Sequence, residues 1–289
     1  AFGHVCQNYY LAGDIACGSC HILSGGASLS VSACKEVCPM TLNVHGIEFK
    51  YTSLPTLKDV SFGLNGGEFM AILGNNGAGK STLLKCINRI LKPRKGVVYL
   101  GEDRVSALTR VQVAQRIGYV AQRNEAGRFT VFDAVLLGRK PYIKWDVGQE
   151  DIEIVDDVLK RMGLNHLVLR YLDELSGGEL QKVVIARALV QEPDVMLLDE
   201  PTNNLDLKNQ IEVLKIVKET VANRGIAAVV VMHDINLALR FADKFLLLKD
   251  GIVHGCGGLE VITEENIEEV YGLPVRMEKI NDLPVVVPV

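Results

Sequence analysis

The sequence predicts an α/β fold with a parallel sheet at its centre. Two short apolar runs, "DVMLLD" at 194–199 and "IAAVVVMH" at 226–233, read as strands buried on both faces. Between them "KNQIEVLKIVKETVAN" has the spacing of an amphipathic helix. A third apolar run, "FMAIL" at 69–73, leads through a glycine-rich loop into the helical stretch "STLLKCINRIL" at 81–91. Strands and helices that alternate in this way build parallel sheets.

Before that pattern begins, about 40 residues stand apart. Five of the seven cysteines lie there, Cys6, Cys17, Cys20, Cys34 and Cys38, among few charges. The shift predicts an N-terminal extension over 1–40 and a second domain over 41–289. From Thr41, "NVHGIEFKY" and "TLKDVSFGL" alternate apolar and polar residues, as half-buried antiparallel strands do. Asn65-Gly66-Gly67 is a turn signal, "KPRKG" ends the helix after the glycine loop, and "VVYL" reads as a strand. The region from about 105 to 190 is expected to be mainly helical. No internal repeat is present.

Bulk properties narrow the function. A chain of 289 residues with 48% hydrophobic and 23% charged residues can bury a full core. Its formal charge of -4 argues against a nucleic-acid partner bound by bulk electrostatics. No apolar run nears the roughly 18 residues that suggest a membrane helix, so any membrane role needs a partner. The first residues lack the basic-then-apolar layout of a secretory leader.

The loop "GNNGAGKST" fits G-x-x-x-x-G-K-[ST], from Gly74 through Asn75, Asn76, Gly77, Ala78, Gly79, Lys80 and Ser81 to Thr82. Backbone N–H groups of such a loop, and the helix behind it, attract phosphate. Lys80 then reaches the β- and γ-phosphates of a nucleotide, and Ser81 offers a hydroxyl to Mg²⁺. "VMLLDEP" adds Asp199, a hard oxygen ligand for the same cation, and Glu200, placed to polarise water as a general base. An acid at a strand end also serves as a helix cap. Beside a phosphate loop the catalytic reading is favoured. His233 follows the next parallel strand, so its end and that of Asp199 open on one crevice. His233 is therefore a candidate γ-phosphate contact.

With "LSGGE" at 175–179 added to these motifs, residues 41–289 resemble the ATP-binding cassette (ABC) ATPases. The resemblance implies a RecA-like parallel core, an antiparallel β subdomain and a helical subdomain at about 123–190. It implies that Tyr51 stacks on adenine and that Gln122 links Mg²⁺ to the helical subdomain. The loop Asn203-Asn204-Leu205-Asp206 would cross a dimer interface. Ser176, Gly177, Gly178 and Glu179 would close on ATP held by a second copy of the chain. The helix behind them is expected to begin near Glu179 and run until Pro193. The family's usual fifth signature residue is Gln; Glu179 brings a charge that is unhelpful beside phosphate. The other "LSGG", at 23–26, has no helix behind it and reads as a turn.

"VFDAVLLGRKPYIKW" at 131–145 and the tail "FLLLKDGIVHGCGG…VITEENIEEVYGLPVRM" look like the ATPases of importers for iron–siderophore, haem and cobalamin. That likeness implies integral-membrane permease subunits docked around 123–146, a substrate-binding protein acting indirectly, and a peripheral position on the cytoplasmic face of the membrane. The alternative is a soluble ABC ATPase serving an assembly such as iron–sulfur cluster biogenesis. "CGSCH" at 17–21 formally matches a haem-attachment motif, which a cytoplasmic cassette would not use. Cys17, Cys20, Cys34 and Cys38 have spacings that could ligate zinc or an iron–sulfur cluster.

Overall fold

The computed structural model describes residues 41–52, 54–122 and 127–289. The cysteine-rich stretch, with Cys17, Cys20, Cys34, Cys38 and the first Leu-Ser-Gly-Gly, lies outside the described residues.

The described residues open with β1 (Thr41–Lys50) and β2 (Pro55–Asn65), paired antiparallel with Leu42 opposite Leu64 and Val44 opposite Phe62. Next come β3 (Phe69–Leu73), α1 (Lys80–Ile87), β4 (Lys95–Leu100) and the short β5 (Asp103–Arg104). β4 lies on the other side of β1, and the four strands form one antiparallel sheet in the order β2-β1-β4-β5. Helix α2 (Arg110–Arg116) starts on a capping box of Thr109 and Gln112, then yields at once to β6 (Ile117–Val120).

Helices follow: α3 (Val131–Leu136), α4 (Gln149–Arg161) and α5 (Gly177–Leu189). Arg139, only 4% exposed, ties this region together. It donates to Asp151 on α4 at 2.8 Å, and to the Val190 carbonyl and Glu192 just beyond α5. A buried guanidinium needs such partners, because an unpaired one would cost several kcal/mol. The rest of the chain is β7 (Val195–Asp199), α6 (Leu207–Arg224), β8 (Ala227–Val231), α7 (Ile235–Phe241), β9 (Lys244–Lys249) and β10 (Ile252–Gly257). It closes with α8 (Glu264–Tyr271) and a hairpin of β11 (Val275–Ile280) and β12 (Leu283–Pro288).

The central sheet runs β10-β9-β3-β8-β7-β6. Its neighbours are parallel except for β10, which returns antiparallel to β9 at the edge. Every residue of β3, β7 and β8 is buried, which explains why their sequences lack a polar face. Alternate residues divide between two cores. Phe69, Leu73, Leu198 and Val230 pack with the helices α3 to α7, whereas Met70, Ile72, Leu197 and Val229 pack with α1 and the antiparallel sheet.

Three expectations need correction. The helix after the glycine loop stops at Ile87 rather than Leu91, because Arg89 takes a left-handed φ of 56°. The 105–190 region contains a strand, β6, whose four residues are too few to show a period. Helix α5 begins at Gly177, two residues before Glu179, and ends at Leu189, ahead of Pro193.

Candidate active site

The glycine loop joins β3 to α1 and so hangs over the C-terminal ends of the parallel strands. Gly74 opens it at φ +149°, and a Cβ there would stand 2.1 Å from the Leu248 carbonyl oxygen. No other residue fits that bend so close to β9. Lys80, at the start of α1, is 5% exposed. Its Nζ donates to the carbonyls of Gly74 at 2.6 Å and Asn75 at 3.0 Å, so the side chain curls back along the loop. Burial pushes the Lys80 ammonium down from its ordinary range, while Glu200 and Asp199 oppose that shift.

Asp199 ends β7 and is 2% exposed. Its Oδ1 accepts from the Ser81 hydroxyl at 2.8 Å. Burial pushes the Asp199 carboxyl up, which the Ser81 hydrogen bond partly offsets. Tyr119 on β6 is pushed up to about 12, first by burial and then by the Asp199 charge, so its phenol stays neutral. Asp199 caps no helix; the N-cap of α6 is Asp206, which accepts from the Asn209 amide.

Glu200 adopts a left-handed φ of 54°. That conformation costs a non-glycine residue about 1–3 kcal/mol and tends to persist where function needs it. The turn throws its carboxylate into the crevice, where three side chains hold it. His233 Nε2 lies 2.6 Å from Oε1. Gln122 Nε2 and Asn203 Nδ2 both donate to Oε2. Gln122 thereby keeps its own Oε1 as an oxygen donor. The Asn203 contact was not foreseen; only its three-residue distance from Glu200 hinted at it.

A cavity of about 300 Å³ lies beside these groups; Asp199 reaches its lining through Ser81, and Gln122, Asn203 and His233 through Glu200. Tyr51, Thr56, Asn76, Gly77 and Gly79 line it, with Lys80, Ser81, Thr82 and Glu200. Tyr51 stands at the mouth, 60% exposed, edge-on to Phe49 and with its hydroxyl 3.4 Å from Thr82 Oγ1. Asn75 faces away, donating its side-chain amide to the Val270 carbonyl at 3.0 Å. The Ala78 carbonyl accepts from Gly251 at the β9–β10 turn.

Ser176, Gly177, Gly178, Glu179 and Asp206 do not line this cavity. Ser176 caps α5, and Glu179 Oε2 accepts from both the Ser176 amide at 2.9 Å and its hydroxyl at 2.8 Å. These bonds pull the Glu179 carboxyl below the usual range. The charge that looked out of place satisfies a helix N-terminus. Gly178 packs so close to Asn209 that a Cβ would meet its side-chain atoms at 2.7 Å. The signature segment and the start of α6 are thus held as one block, helped by a Lys182–Glu212 ion pair between α5 and α6 at 2.7 Å.

The sequence pattern of the ABC transporter family matches residues 57–203. An uncharacterized ABC transporter ATP-binding protein of Methanocaldococcus jannaschii is 56% identical over 86% of this chain and 98% of its own. The petrobactin import ATP-binding protein YclP of Bacillus subtilis is 33% identical, over 83% of this chain and 96% of its own. Among solved structures, a metal-chelate type ABC transporter in an inward-facing conformation superposes with a TM-score of 0.76. It shares 30% identity and covers 86% of this chain and 97% of that one. Among the described residues no helix is long and apolar enough to cross a membrane. The chain belongs to the ATP-binding proteins of the ABC transporter family and is an ATPase.

Proposed function

We propose that the chain powers a membrane importer of metal chelates, of the iron–siderophore, haem or cobalamin type, by binding and hydrolysing ATP between two head-to-tail copies. One observation carries the catalytic part: Lys80, Ser81 and Glu200 line one cavity, with Asp199 bonded to Ser81 and with Gln122 and His233 bonded to Glu200.

Tyr51 offers an exposed ring to the adenine face at the mouth. The loop amides and Lys80 receive the phosphates. Ser81 and Asp199, with oxygens already 2.8 Å apart, and Oε1 of Gln122 form a set of hard donors that fits Mg²⁺. The cation, when bound, neutralises phosphate charge. Glu200 takes a proton from the attacking water, whose oxygen forms the new bond to the γ-phosphorus as the bond to ADP breaks. His233 holds Glu200 in place and, with Lys80, meets the charge that develops.

Ser176 to Glu179 and Asp206 lie off their own cavity, which supports a second copy supplying them. The metal-chelate reading is supported by the likeness to a petrobactin importer subunit and to a metal-chelate type transporter. Permease subunits would dock on the helical side, around 127–146, and hold the ATPase on the cytoplasmic face of the membrane. Affinity purification of the chain from membranes tests this. A co-purifying polytopic membrane protein is expected; recovery with a soluble scaffold instead would favour an assembly role.

A further inference from the structure

The tail "EENIEEVYGLPVRM" has no part in the chemistry above, yet it touches the phosphate loop. Tyr271, the last residue of α8, accepts a hydrogen bond at 3.1 Å from the Gly74 amide, across 197 residues of sequence. One residue earlier, the Val270 carbonyl accepts from the Asn75 side chain at 3.0 Å. These are the two residues whose carbonyls hold the Lys80 ammonium. Gly74 is therefore held at both of its peptide groups, its N–H by the tail and its carbonyl by Lys80.

The tail is itself anchored. Glu268 and Glu264 on α8 accept from the amides of Val275 and Met277 on β11. Asn236 on α7 exchanges two hydrogen bonds with the backbone of Val286 on β12. Asp234 caps α7 directly after His233. Burial, with the Asp234 charge adding to it, pushes the Tyr271 phenol up to about 12 against the Gly74 bond, so it remains a neutral hydroxyl. A closed path of contacts thus runs from the phosphate loop through α8 and the hairpin to α7 and the His233 turn.

We propose that Tyr271 is a positioning residue for ATP: with the Val270 carbonyl it clamps Gly74–Asn75 so that Lys80 and the loop amides meet the phosphates without rearrangement. The clamp rests on the reading of Gly74–Thr82 as the phosphate loop. Removing the hydroxyl leaves the Gly74 amide without this acceptor and loosens the loop that binding must then reorder. Such a loss acts on bound substrate and transition state alike, so it raises KM and leaves kcat little changed.

The test uses the purified full chain. Tyr271→Phe is expected to raise both the ATP Kd and KM about 3–10-fold, as one lost hydrogen bond implies. Its kcat should stay within about twofold of wild type. Unchanged affinity, or a fall in kcat alone, would overturn the proposal. Lys80→Ala serves as the reference: if it binds ATP like wild type, the phosphate-loop reading itself fails. If it loses ATP while Tyr271→Phe does not, only the clamp fails. Amide hydrogen exchange on the nucleotide-free wild type is an independent reading that does not depend on any variant folding. The Gly74 amide should exchange more slowly than that of Gly77; equal rates contradict the clamp.

Discussion

Glu200 concentrates several demands in one side chain. It sits in a left-handed turn, 9% exposed, with His233, Gln122 and Asn203 all directed at its two oxygens. Gln at this position keeps the shape and most hydrogen-bonding capacity but cannot take a proton. Glu200→Gln should therefore bind ATP normally while hydrolysis falls about 10²–10⁴-fold, the usual contribution of a general base. Near wild-type turnover in that variant would remove Glu200 from the role. Its placement beyond a strand end is legible in the sequence, as an acid following an apolar strand and Asp199. Its clamp is not, because Gln122 and Asn203 reach it by folding and turn geometry that no spacing encodes. Tyr271 was hidden for the same reason: a tyrosine at a helix end carries no sign of a glycine loop far upstream.

At the scale of elements, strands buried on both faces were the easiest to foresee. β3, β7 and β8 have no polar side, so their burial is written directly in their composition. β6 was missed because four residues, one of them Gly118, show neither period nor length. The start of α5 was misplaced because glycines are poor helix formers, whereas the Ser176–Glu179 box overrides that preference here. That box predicts a pH response. The folded-state pKa of Glu179 lies below its ordinary 4.5, so its stabilisation is complete above that value and fades as pH falls through the lowered one. Glu179→Gln, which preserves the box, should leave urea stability within about 0.5 kcal/mol of wild type at pH 7. As pH falls below 4.5 and through the lowered value, the wild type should lose stability relative to the variant. A difference that does not vary with pH would show that the carboxylate's charge has no role in capping α5.

For the whole molecule, the signature block and the cavity occupy different places on one chain, and a two-fold pair would bring each to the other's partner. Ser176→Arg on one copy should then disable the site built on the other copy's phosphate loop, leaving monomer nucleotide binding intact. Pairing Ser176→Arg with a Lys80→Ala copy places both lesions in a single site, so the remaining site should hydrolyse ATP. Placing both changes on one copy, opposite a wild-type copy, should silence both sites. Equal activity of the two pairings would exclude the head-to-tail arrangement. The sheet order has a further consequence, for synthesis. β3 is made early, but both its neighbours, β8 and β9, come late. Phe69 waits for Asp243, 174 residues on, to accept its amide hydrogen bond. At roughly 5–20 residues per second the ribosome leaves that strand without either neighbour for about 8–32 s, until Ala228 of β8 is made. During that interval "FMAIL" is an apolar segment with open edges, and the nascent chain is most exposed to aggregation or to chaperone capture.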